Sequence, residues 1–189
     1  MRQFRSRSSD EGGQVGGTER GYAIEVYLTV PLLTGVALIQ SVLLTKLDLW
    51  GARPDLVLLV VLVWAGVRGV GEGAVWAFIG GLVVDLLSGG PLGATVLALL
   101  TATFLAGQPW GRGLGSPTVL LLLSTFFATV VFHVVLLLVL AWTGYGLDWV
   151  GVILRVVGPS ALLNALLAPF VQRPLIWLDR SLRRERFAL

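Results

Sequence analysis

Read for polarity alone, the chain is a series of six apolar runs separated by short clusters of glycine, proline and charged residues. The runs fall at about 22–45, 54–68, 72–87, 92–106, 118–143 and 150–172. A helix crosses the ~30 Å hydrocarbon core of a bilayer in ~20 residues. The first, fifth and sixth runs reach that length. The second and third supply only about 15 residues each, roughly 22 Å of helix. They need a thinned bilayer or burial among longer neighbours. The pattern predicts an all-α membrane protein with six transmembrane helices in one compact bundle.

The breaks between runs are as informative as the runs. Helix formers continue to Leu87, Ser88-Gly89-Gly90 ends the helix, and Pro91 sits where a new helix starts. Proline suits a first helical turn because its missing N–H would be unpaired there anyway. In lipid every backbone N–H and C=O needs a partner. Asp85 and Ser88 are placed to accept N–H groups at the start of the following helix. The stretch Gly81-Leu82-Val83-Val84-Asp85-Leu86-Leu87-Ser88-Gly89-Gly90-Pro91-Leu92-Gly93 therefore reads as a tight helical hairpin. Pro54-Asp55 opens the second helix by the same logic. Arg68-Gly69-Val70-Gly71-Glu72 reads as a four-residue turn whose Arg68–Glu72 pair, if exposed, contributes little. Gly66, Gly69, Gly73, Gly80 and Gly81 suggest close backbone packing. They point to helices 2 to 4 as the compact centre, wrapped by the longer helices 1, 5 and 6.

Polar residues inside the runs are few. Gln40 and Ser41 interrupt the first, His133 lies well inside the fifth, and Arg155, Pro159, Asn164 and Pro169 lie in the sixth. Gln40, His133 and Asn164 are read as polar intramembrane groups that bond neighbouring helices. A lone intramembrane histidine is a functional candidate by default, since ionisable groups are rare there. No second histidine or nearby carboxylate completes a relay. Trp50, Tyr145 and Trp149 fit interfacial anchors.

Composition and charge sharpen this picture. The 189 residues are 56% hydrophobic and 13% charged, with a mean hydropathy of +0.85, which excludes an ordinary soluble domain. Residues 1–21 are polar and rich in glycine and serine; they lack the apolar segment of a secretory signal and read as a disordered cytoplasmic tail. Residues 173–189 form a basic amphipathic cytoplasmic tail, with Ile176, Trp177, Leu178 and Leu182 set against Arg173, Arg180, Arg183, Arg184 and Arg186. It reads as an interfacial helix. Placing the N-terminus inside puts Arg2, Arg5, Arg7, Arg20, Arg68, Arg112 and those five arginines on the cytoplasmic side. Only Lys46, Arg53 and Arg155 are left towards the outside, as the positive-inside rule requires. Both termini are then cytoplasmic, and Asp85 and Arg155 fall at similar depth near the outer face. We expect an Asp85–Arg155 ion pair that locks the hairpin against helix 6.

Candidate chemistry is sparse. The chain has no cysteine and one histidine, so thiolate and multi-histidine metal sites are excluded. The glycines of 107–117 follow no strand and precede no Lys-Ser/Thr, so they are a connector, not a phosphate loop. No Ser-His-Asp set or facing carboxylate pair is present. No enzyme, cofactor, metal or nucleic-acid partner is expected.

The hairpin stretch resembles the signature of the MreD family, the bacterial rod shape-determining membrane proteins. Leu38-Ile39-Gln40-Ser41, Arg53-Pro54-Asp55-Leu56-Val57-Leu58-Leu59 and the basic C-terminal tail agree with it, and the resemblance covers about residues 23–186. It implies a non-enzymatic scaffold of the elongation machinery in the bacterial inner membrane. The implied direct partner is MreC, with MreB, RodA and a class B penicillin-binding transpeptidase in the wider complex; a homodimer stays open. Gly81, Asp85, Ser88, Gly89, Pro91 and Gly93 would be its structural hairpin motif. The arrangement is also similar to the substrate-binding S component of energy-coupling-factor vitamin transporters. That supplies the alternative function.

Overall fold

The computed structural model describes residues 29–42, 54–108, 116–144 and 149–186. The N-terminal tail, Lys46, Trp50, Arg53, Arg112, Tyr145 and Asp148 lie outside the described residues, and of Trp149, Arg183, Arg184 and Arg186 only the backbone is described. The described elements are all helical: α1 (Thr29–Val42), α2 (Leu56–Arg68), α3 (Val70–Ser88), α4 (Ala94–Ala106), α5 (Pro117–Trp142), α6 (Trp149–Val152) and α7 (Gly158–Arg186). A π-helical turn, Ile153–Val157, joins α6 to α7. Pro159 explains the wider turn: it has no N–H to offer the carbonyl four residues back. The Gly158 N–H bonds Ile153 O instead.

Three stretches are long and apolar enough to cross a membrane: Val70–Ser88, Pro117–Trp142 and Val150–Ser181. α1, α2 and α4 are apolar but shorter.

α2 is the centre of the bundle. Its residues Val57 to Ala65 are all buried, and it touches α3, α4, α5 and α7. Such a helix has no polar face because it has no outer face. Around it α3 packs on α4, α4 on α5 and α5 on α7, while Leu33 and Ala37 of α1 join the same core. The expectation that helices 2 to 4 together form a wrapped centre is thus corrected. α3 buries one side, Gly73, Trp76, Ala77, Gly80, Gly81 and Asp85, and turns Val75, Phe78, Leu82 and Leu86 outward, and α4 exposes Leu97 and Phe104.

Glycine sets how closely the layers approach. A Cβ on Gly81 would lie 2.6 Å from Val96 Cα, and one on Gly73 would lie 2.3 Å from Ala65 Cβ. α3 can therefore approach α4 at one point and α2 at another only without side chains there. The break between α2 and α3 is also tighter than the four-residue turn expected. Gly69 alone separates them, with φ +100°, a conformation side-chain-bearing residues rarely adopt. α3 consequently starts at Val70 and gains a full membrane-spanning length of 19 residues.

Candidate functional site

Three polar constellations stand in the apolar bundle. The first is the hairpin between α3 and α4. α3 ends where Gly89 takes a left-handed conformation, and α4 starts from Gly93, whose φ is +91°. A glycine at the cap position has no side chain with which to accept the first orphan N–H groups. Asp85 supplies the acceptor from the neighbouring helix: its carboxylate takes the Gly93 N–H at 2.8 Å and the Thr95 N–H at 3.0 Å. Thr95 is the second residue of α4, the position an N-cap side chain ordinarily serves. Asp85 is buried, and its negative charge lies at the positive end of the helix dipole. Ser88 acts within the turn instead, donating to Asp85 O at 3.2 Å and accepting the Gly90 N–H at 3.4 Å.

The expected Asp85–Arg155 ion pair does not form. Both Asp85 oxygens are engaged by α4, Arg155 is exposed on the π-helical turn, and that turn packs on α5 and α7, not on α3. Similar depth places two residues in one layer of a bundle, but only adjacent helices can pair them.

The second constellation surrounds the start of α2 and gathers the three polar intramembrane residues singled out by sequence. Asp55 caps α2 by accepting the Leu58 N–H at 2.9 Å. Gln40 of α1 accepts the Val57 N–H at 3.0 Å through Oε1. Asn164 of α7 accepts the Asp55 N–H at 3.0 Å. His133 of α5 exerts an electrostatic influence on Asp55. Its Nδ1 stands 2.8 Å from Thr129 O; a carbonyl only accepts, so Nδ1 carries the hydrogen. Residues of α1, α5 and α7 thus act on one half-buried helix start. Sequence reasoning took Asp55 as a local cap and missed that it is the hub. The available signal was the spacing of three lone polar groups along three separate apolar runs, which carries no information about who meets whom.

The third lies at the opposite end of α2. Arg68 forms ion pairs with Asp179 of α7 and, at 3.4 Å, with Glu72. Its guanidinium also stands 5.3 Å over the Trp64 ring, which stacks on Trp76 at 4.3 Å. The Arg68 side chain is only 7% exposed. The reading of an exposed, weak Arg68–Glu72 pair is thus corrected: the pair exists, but it belongs to a largely buried network joining α2, α3 and α7. Asp179 was read as part of a separate tail, whereas α7 runs unbroken through Arg173 and Arg180 to Arg186. Leu175 of that section belongs to the main core and Leu178 packs against it.

The family whose model matches this chain is described as rod shape-determining protein MreD, and the match spans residues 23–182. The chain belongs to the MreD family. It is accordingly a rod shape-determining membrane protein, and its apolar helices fit membrane insertion. No curated protein and no solved structure matched it. All three polar constellations lie within the MreD-matched region. In each, charged or amide groups are directed at helix ends or at one another, an arrangement suited to fixing helix positions. Among the described residues no group of three or more His, Cys, Asp or Glu side chains is placed to hold a metal ion.

Proposed function

We propose that this MreD-family protein is a non-enzymatic scaffold of the bacterial elongation machinery, crossing the inner membrane six times with both termini in the cytoplasm. It binds MreC laterally and so helps to organise side-wall peptidoglycan synthesis with MreB, RodA and a class B penicillin-binding transpeptidase. The family match over residues 23–182 carries this reading.

The packing supports it. α2 fills the middle of the bundle with side chains, where a vitamin-binding S component would need a polar-lined pocket. The faces left for partners are the outer ones, such as Leu162, Leu166 and Phe170 at helical spacing on α7 and Phe127 and Leu138 on α5. A partner's single transmembrane helix docks on such ridges by close packing. The hairpin capped by Asp85 keeps α3 and α4 in register and acts as fold support rather than as a contact.

Affinity purification of the tagged protein from its native membrane in mild detergent tests the proposal. Recovery of a bitopic coiled-coil protein together with a polymerase and a transpeptidase is the expected result. Recovery of two ATPases and a coupling membrane subunit, with a bound vitamin, would replace the scaffold with a transporter.

A further inference from the structure

The helix leading through α7 is longer than a membrane needs. Val150–Ser181 is a 32-residue helical stretch around an apolar span, ~48 Å at 1.5 Å per residue against a hydrocarbon core of ~30 Å. Its ends must lie among lipid headgroups. The exposed cations agree with that placement: Arg155 is exposed near one end, and Arg173 and Arg180 near the other. Arg155 and Arg173 stand ~27 Å apart along the helix axis, about one hydrocarbon thickness.

At the second end the two faces of α7 differ sharply. Leu175 is buried, Leu178 packs on the core, and Asp179 is paired with Arg68 of α2. That side holds the helix against rolling. Arg173, Trp177 and Arg180 recur at spacings of four and three, which puts them on one face. All three are exposed, Trp177 at 69%. The ion pairs in this region are those of Arg68 with Glu72 and Asp179, and neither Arg173 nor Arg180 has an ion-pair partner among the described side chains. Two guanidiniums flanking an indole, held outward at headgroup depth, match the chemistry of a lipid phosphate. Arginine binds phosphate bidentately, and tryptophan settles at the membrane–water boundary.

We infer that Arg173, Trp177 and Arg180 form a binding face for anionic phospholipid headgroups, oriented by the Arg68–Asp179 pair behind it. This goes beyond the scaffold reading and does not depend on it. Each arginine near an anionic surface contributes roughly a fivefold preference, so the pair should enrich anionic lipid at this face several-fold over zwitterionic lipid.

The test uses the full chain in nanodiscs of phosphatidylcholine containing phosphatidylglycerol, with bromine on the acyl chains of one lipid at a time. Trp177 is isolated from the other tryptophans by difference against Trp177→Phe. At equal mole fraction, brominated phosphatidylglycerol should quench the Trp177 component several-fold more than brominated phosphatidylcholine. The preference should fall with added salt and vanish in the Arg173→Gln/Arg180→Gln variant, whose melting profile should match wild type because both residues are exposed. Equal quenching by the two lipids in the wild-type protein would overturn the inference. So would a preference that survives in the double variant, which would assign it to other arginines.

Discussion

Replacing Asp85 by alanine tests the hairpin directly. The substitution removes the acceptor of two N–H groups, bonded at 2.8 and 3.0 Å. The Thr95 donor, left buried and unpaired, costs about 1–3 kcal/mol, and the donor of the exposed Gly93 adds about 1 kcal/mol. Relief from keeping a carboxylate buried offsets part of that sum. A net loss of about 1–3 kcal/mol follows, a large share of the ~5–15 kcal/mol that holds a typical domain together. For a chain of this size that loss corresponds to a melting temperature lower by about 3–9 °C. Asp85→Asn should fall between the two: its one carbonyl oxygen accepts one N–H, and its NH2 group faces the other as a second donor. The assay is thermal unfolding of detergent-solubilised protein followed by size-exclusion chromatography, alongside the folded yield of a fluorescent fusion. An alanine variant with wild-type melting temperature and yield would refute the capping argument. Normal folding combined with lost recovery of partners would instead make Asp85 a contact residue.

Three other outcomes follow from the packing. Gly81→Ala and Gly73→Ala should each destabilise by about 1–3 kcal/mol in the same assay, since their new Cβ atoms would meet Val96 backbone and Ala65. Gly66→Ala meets nothing within 4 Å and should be neutral or slightly stabilising. Asp179→Ala should lower stability by about 2–4 kcal/mol because it leaves the nearly buried Arg68 with a weaker, more exposed partner in Glu72; an Arg68→Met/Asp179→Leu double variant should recover part of the loss. His133 is the chain's sole histidine, so selective 15N-histidine labelling yields one imidazole whose nitrogen shifts report its tautomer. The signal should show a protonated Nδ1, and an unprotonated Nδ1 would contradict the bond to Thr129 O.

Local chemistry was readable from the chain; long-range partnership was not. The capping role of Asp85 followed from a helix stop, a proline and one carboxylate within a dozen residues, and the geometry agrees with it. The all-helical architecture followed from the apolar runs. Asp85 and Arg155 illustrate the limit, because depth along a span is legible while the order of helices around the bundle is not. The Arg68–Asp179 pair was hidden for a similar reason: Pro174 and the following arginines look like the end of a helix, yet α7 passes through them. The start of α3 was misplaced because Gly69, Gly71 and Glu72 dilute the apolar signal, and only the positive φ of Gly69 explains how one residue suffices for the turn.

Both ends of α2 are held by α7. The Asp55–Asn164 bond closes across 109 residues of chain and the Arg68–Asp179 pair across 111. Neither contact can exist until the ribosome has passed residue 164 for the first and residue 179 for the second. α2, at 13 residues, is too short to be stable in lipid by its own length. Its partner for both ends, α7, is made about a hundred residues after it. Loss of α7 would therefore release both ends of α2 and loosen the centre of the molecule rather than trim its edge.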